Sequence, residues 1–409
     1  MKIKTLLLSV IYSSIISLFI LSCNSNKKAE EKNIANDSIP KEIIKINYPK
    51  DSTQDQIAAL LSGENSTAFN HIFTDNMDFW KEYKMSIDTP WTRITEERLS
   101  RMDEWAEKEI STKINDTALL FYPFSGPDFL NAYHLFPNAN EYILVAMEKL
   151  GTLPNLYEMN EDNLKGYLDA VNFAIRDIYK RSYFITGNMD QDLRKHKVDG
   201  VLPLMYVFLQ RTGHEIYEFG YYKLENDNKT FTKIEKPTNS LNIAECIKFK
   251  VLKKGDNKLK DVTYFYADIS DDGFKKNPAF LKYLHNLRNY NTFIKSASYL
   301  SHYETFSNIR NTILDKSYSV LEDDTGIPFR YFTKAKNWDY YLYGKYAKPI
   351  DDFQSTYLFQ KDLDEKYKTE DVNPLDFSLG YHWRSGNQNW VLYVKRIAES
   401  QELPDETIN

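Results

Sequence analysis

The spacing of apolar positions divides the chain into a helical front and an α/β body. Residues 54–62 and 69–83 read as short helices, and 95–110 as a firmer one. In that stretch Leu99, Met102, Trp105, Ala106 and Ile110 recur near the 3.6-residue period, with charged residues on the other face. At 117 the pattern changes. The run 117–124 is apolar as far as Pro123 and predicts a buried strand; 128–136 predicts a short helix and 142–147 a second buried strand. A long helix follows at 163–179, where Leu164, Leu168, Val171, Ile175 and Ile178 share one face, and another at 200–211. Strands are expected at 215–224, 244–253 and 261–269, with 225–240 a polar hairpin or loop. Asn277 followed by Pro278 is a helix start, a capping side chain before a proline at the first position. Helical patterning then runs in pieces over 279–314, with Ile294, Ala297, Leu300, Tyr303 and Phe306 on a regular face. The closing elements are a strand at 319–321, a segment at 339–343, a helix near 356–367 and a strand at 390–396 after the turn residues Ser385, Gly386 and Asn387.

The first residues read as a processing signal. Lys2 and Lys4 precede an apolar run over 6–21, which ends in Ile20, Leu21, Ser22 and Cys23. A small residue before a cysteine at that place resembles the lipobox of bacterial lipoproteins. The resemblance implies cleavage before Cys23, a diacylglycerol on its thiol and an acyl chain on its amine. Several chains on one residue anchor firmly, unlike a single myristoyl group. It implies a protein of the bacterial cell envelope, held through lipid in the outer membrane, with the periplasmic and surface sides both open. The expected organisation is a signal peptide at 1–22, a polar tether at 23–51, a helical preface at 52–116 and an α/β domain at 117–409.

Charge narrows the partners. The 409 residues carry a formal net charge of −6 and no basic arm, which argues against nucleic acid. Aromatics reach 15%, with 30 Tyr and 24 Phe, alongside raised Lys, Asn and Ile, a pattern of compositional bias more than of function. A glycan platform would instead need a coplanar row of exposed rings. If Cys23 is lipidated, Cys246 has no disulfide partner; its alternating strand context predicts a buried small apolar residue.

Open α/β sheets bind ligands beyond the carboxyl ends of their strands. Ser125 and Gly126 follow the first strand, and Glu148 ends the second, 22 residues beyond Gly126. That spacing matches an acidic ribose ligand about 20 residues after a glycine turn. With Pro127 beside a single glycine, however, the turn is short of the amides that hold a pyrophosphate. The succession of strand, turn, helix and strand, then DVTYFYADI, SYSVLEDD and the closing WVLYVKR, resembles class I methyltransferases of the Rossmann type. The resemblance spans roughly 117–396. It implies a Rossmann-like mixed sheet flanked by helices, with a C-terminal antiparallel hairpin. It places S-adenosylmethionine at Ser125, Gly126 and Glu148, although the glycine-rich turn of that family is degraded here.

Three carboxylates near expected strand ends, Asp128, Asp268 and Asp324, are the candidates for acid–base or metal-assisted hydrolysis. The acidic turns containing Asp268, Asp271 and Asp272, and Glu322, Asp323 and Asp324, offer oxygen ligands without an EF-hand pattern; solvated turns or helix caps are the expectation. None of the seven histidines has zinc-ligand spacing, though His134 and His302 are expected on helices near strand ends. No G-x-S-x-G is present, and Lys295 beside Ser296 and Ser298 does not have S-x-x-K spacing. No confident cofactor or metal follows. The expected function is a binding or structural lipoprotein on a degraded Rossmann-like fold, with a small molecule or glycan as the open ligand class. The alternative is an envelope hydrolase using the strand-end carboxylates.

Overall fold

The computed structural model describes residues 48–70, 78–183, 198–353, 356–382 and 386–396. Cys23 and the signal, His71, His196 and Ser385 lie outside them.

The chain is α/β, built on an eleven-stranded mixed sheet with helices on both faces. In chain order the strands are β1 (Leu120–Pro123), β2 (Glu141–Ala146), β3 (His214–Leu224), β4 (Phe231–Ile234), β5 (Glu245–Lys253), β6 (Lys260–Tyr266), β7 (Tyr290–Ile294), β8 (Ser317–Glu322), β9 (Trp338–Gly344), β10 (Val372–Asn373) and β11 (Asn389–Lys395). Across the sheet they run β10-β9-β11-β8-β7-β1-β2-β6-β5-β3-β4. The central five, β8-β7-β1-β2-β6, are parallel. They are buried on both faces, which is why β1 and β2 read as continuous apolar runs instead of alternating ones. β5, β3 and β4 extend one side antiparallel, and β11 lies antiparallel between β8 and β9 on the other.

Alternate side chains of the central strands feed two cores. Leu120, Tyr122, Tyr142 and Leu144 meet the helices α1 (Ser52–Leu61), α2 (Asp78–Ile94), α3 (Ser100–Trp105), α4 (Phe129–Leu135), α5 (Glu161–Arg181) and α6 (Leu202–Arg211). Phe121, Ile143 and Val145 face α7 (Asp271–Lys276), α8 (Pro278–Asn286), α9 (Ser307–Lys316), α10 (Phe329–Ala335) and α11 (Lys361–Thr369). Strand order reverses between β1 and β7, so a crevice opens there beyond the carboxyl ends.

Two helical expectations need correction. The helix expected to stop near 83 runs through Pro90, and π turns at Thr95–Leu99 and Ala106–Ile110 bracket α3. More consequentially, the helical face assigned to Ile294, Ala297, Leu300, Tyr303 and Phe306 does not exist. Ile294 closes strand β7, and 295–306 is loop with two 3₁₀ turns. With Asn291 and Thr292 buried in its middle, β7 reads neither as an apolar run nor as an alternating strand, so the adjoining residues imposed a false period.

Candidate functional site

The crevice has a volume of ≈ 430 Å³ and is built from four strand ends. β1 supplies Tyr122, Phe124, Ser125 and Gly126, and the residues after β2 supply Met147 and Glu148. Asp268 follows β6, and Lys295, Ser296 and Ser298 follow β7. Aromatic rings form the walls: Tyr381 stands edge-on to Tyr183 at 4.7 Å and to Phe353 at 5.5 Å, and Phe124 tilts against Phe306 at 5.9 Å.

Of the sequence candidates, Ser125, Gly126, Glu148 and Asp268 therefore line one cavity. Glu148 is buried, with the Tyr264 hydroxyl 3.5 Å from its Oε2. Asp268 is half-buried and accepts the Ser270 amide at 2.9 Å. Gly273 makes that turn possible, because a Cβ there would sit 2.2 Å from the Asp268 carbonyl oxygen.

Asp128 and Asp324 do not line the crevice; each is buried and held by protein groups. Asp128 caps α4 through the Asn131 amide at 3.1 Å and accepts the Tyr122 hydroxyl at 2.9 Å. It also pairs with the Lys295 ammonium at 2.7 Å, both side chains being at most 2% exposed. Lys295 donates in addition to the Ser182 carbonyl. Asp324 accepts the Tyr299 hydroxyl at 2.6 Å and Asn389 Nδ2 at 3.0 Å, and lies 2.5 Å from His382 Nε2. Burial alone would push the His382 imidazolium down, but the hydrogen bond and charge of Asp324, with Asp323 behind, outweigh it and the net shift is upward.

The acidic turns separate by role. Asp271 caps α9 through the Asn308 amide, and exposed Asp272 pairs with Lys275, as a cap and a solvated turn should. Glu322, Asp323 and Asp324 overturn the solvated reading, since all are at most 3% exposed. They are inside because they receive backbone donors. Glu322 accepts the Ile327 amide, and Asp323 accepts the amides of Ser296 and Thr325. Burial pushes both carboxyls up, Glu322 strongly. Among the described residues, no group of three or more His, Cys, Asp or Glu side chains is placed to hold a metal ion. His134 pairs with Asp103 at 2.7 Å in a separate cleft, and His302 sits beside Tyr299, where burial pushes it down to about 4. Cys246 is buried.

Sequence reasoning missed the loop after β7. Ser296, Ser298 and Tyr299 take φ of 55°, 53° and 57°, and Phe124 across the crevice takes 58°. Each such residue costs about 1 kcal/mol or more. The loop persists because neighbours fix it: Asp323 and the Thr325 hydroxyl accept the amides of Ser296 and Ala297, and Tyr381 donates its amide to Ser296 Oγ at 3.1 Å. Gly380 admits the contact, since a Cβ at its φ of 72° would lie 2.7 Å from that oxygen. None of these partners is near in sequence, so no local signal could have found them.

No family model, curated protein or solved structure matches this chain.

Proposed function

We propose that this protein is an envelope lipoprotein that binds a small, hydroxylated, unphosphorylated ligand in the crevice. The observation that carries the reading is strain gathered at one place. Among the described residues, eight non-glycine residues have positive φ, and Phe124, Ser296 and Ser298 all line this cavity. Strained backbone of this kind clusters at ligand sites, where the surrounding structure over-determines it.

The chemistry of the lining sets the ligand class. Glu148 and Asp268 offer carboxylate acceptors suited to hydroxyl groups and repel phosphate. Several of the amides that could cradle a phosphate are committed: Ser125 to the Val145 carbonyl, Ser296 to Asp323 and Ala297 to Thr325, while Pro127 has none. Aromatic walls favour a ligand with an apolar or flat face. The hydrolase reading is weaker, because Asp128 and Asp324 are consumed by internal partners. The order β6-β2-β1-β7-β8-β11-β9, with β11 antiparallel, supports the methyltransferase-type resemblance at the level of fold.

Thermal-shift measurements on the detergent-solubilised full chain test the binding reading. Nucleosides and sugars are expected to raise the melting temperature, and at a hundredfold excess over Kd binding stabilises by about 2.7 kcal/mol. A larger shift with nucleoside triphosphates than with nucleosides would overturn the ligand class. The anchor is tested separately: Cys23→Ala should move the protein from the membrane to the soluble fraction, and unchanged partitioning would refute lipidation.

A further inference from the structure

We propose that Lys295 is a nucleophilic amine that condenses reversibly with an aldehyde or ketone carbonyl of the ligand. The proposal rests on the crevice reading above and adds a covalent step to it.

Lys295 lines the crevice at the point where strand order reverses, yet its side chain is only 2% exposed. A lysine placed as a structural counter-ion would be the partner its carboxylate needs. Here Asp128 already receives neutral donors from the Tyr122 hydroxyl and from the amide and side chain of Asn131, at 2.9–3.1 Å. A second buried cation also feels its field. Arg98 is 8% exposed and donates Nη2 to the Ile178 carbonyl, while its Nε has no partner among the described residues. Burial pushes Arg98 down to about 10, against the pull of Asp128, and it remains charged at neutral pH. Arg98 therefore shares the field of Asp128, and a protonated Lys295 brings a second positive charge to that one carboxylate. Asp323, which also attracts Lys295, is itself pushed toward its protonated form by burial. Desolvation, with Arg98 assisting, outweighs Asp128 and lowers the Lys295 ammonium. A desolvated lysine beside another cation is how enzymes obtain a neutral amine near pH 7.

The step balances with the groups present. The ammonium gives a proton to Asp128, and its nitrogen forms a bond to the carbonyl carbon, the carbonyl electron pair moving to oxygen. That oxygen takes two protons through the nitrogen, one of the amine's own and the one Asp128 held, and leaves as water while the C=N bond forms, giving a protonated imine. Asp128 is then ionised again, and no oxidant or reductant is consumed. Glu148 and Asp268 would hold hydroxyl groups of the same molecule, so the class selected is a hydroxylated aldehyde or ketone.

The test uses the detergent-solubilised full chain with glyceraldehyde as probe, cyanoborohydride to reduce any imine, and peptide mapping by mass spectrometry. Thermal shift with glycerol, which has the hydroxyls without the carbonyl, is measured in parallel. The expected result is labelling of Lys295 ahead of the exposed lysines, because a lowered ammonium leaves more neutral amine at a given pH. Labelling confined to exposed lysines while glycerol still stabilises the fold would overturn the amine chemistry and leave the crevice reading standing. Neither Lys295 labelling nor a glycerol shift would overturn both.

Discussion

Around the crevice, the turn after β1 presents Phe124 and Gly126 in left-handed backbone and one hydroxyl, Ser125, which approaches the Val145 carbonyl at 3.4 Å. The loop after β7 presents an ammonium and two hydroxyls, with three left-handed non-glycine residues. The first is a local structure, set by a glycine, a proline and the Asp128 cap. The second is imposed from outside, by β8, by the turn at Gly380–His382 and by Ser182 at the end of α5. The contrast teaches that the turn most visible in sequence is a local scaffold, and that the ammonium and two hydroxyls lie where distant segments hold the backbone against its preference.

The largest effect expected from this difference lies at the ion pair joining the two regions. Asp128→Ala leaves Lys295 and Arg98 buried without their carboxylate and should cost about 3–5 kcal/mol in urea denaturation. Lys295→Met, by contrast, leaves Asp128 with its neutral donors and Arg98, and should cost roughly half as much. Equal costs would mean that Lys295 is an indispensable counter-ion, and the distinction between the regions would fail.

His382 supports the β7 loop from behind, and its replacement sharpens the comparison through pH. Its folded pKa lies above the unfolded value, so its stabilisation is fully present below about pH 6.5 and is lost as pH rises through the folded value. At low pH, His382→Gln should cost about 1.5–3 kcal/mol, the worth of a hydrogen bond to a charged group. The gap between wild type and variant should then narrow on the alkaline side. A gap that widened with pH would contradict the pairing with Asp324.

The smallest effects have opposite signs in the two places. Ser298→Gly removes a left-handed penalty and should stabilise by about 0.5–1 kcal/mol while weakening ligand binding. Gly126→Ala introduces such a penalty and should destabilise by about 1 kcal/mol. If both changes destabilised, the β7 loop would not be strained.

Much of the scaffold was legible because its signals are local. Asp128 caps α4, Asn277 caps α8 through the Phe280 amide, and β2 follows its apolar run almost residue for residue. Four of the six strand-end candidates beside Cys23 also came together, because strand ends in a parallel sheet point one way. The β7 strand was not legible. Asn291 and Thr292 are polar and fully buried, satisfied by Ser319 and Ser317 of the neighbouring strand, so their burial depends on partners the local sequence does not contain. Lys295 was noticed only for a spacing it lacks, since an amine's reactivity depends on the charges folded around it. Asp324 looked like a free carboxylate for the converse reason: its three partners come from Tyr299, His382 and Asn389.

The place of β11 has a consequence for how the sheet assembles. Among the described residues it is the last strand, yet it lies between β8 and β9, which pair with it and not with each other. As the chain emerges from its N-terminus, both strands present open edges until residues 389–395 arrive. Such edges template pairing with other chains, and non-local closure is slow. The interval before β11 docks is therefore when this protein is most exposed to aggregation, and when a holding chaperone would matter most.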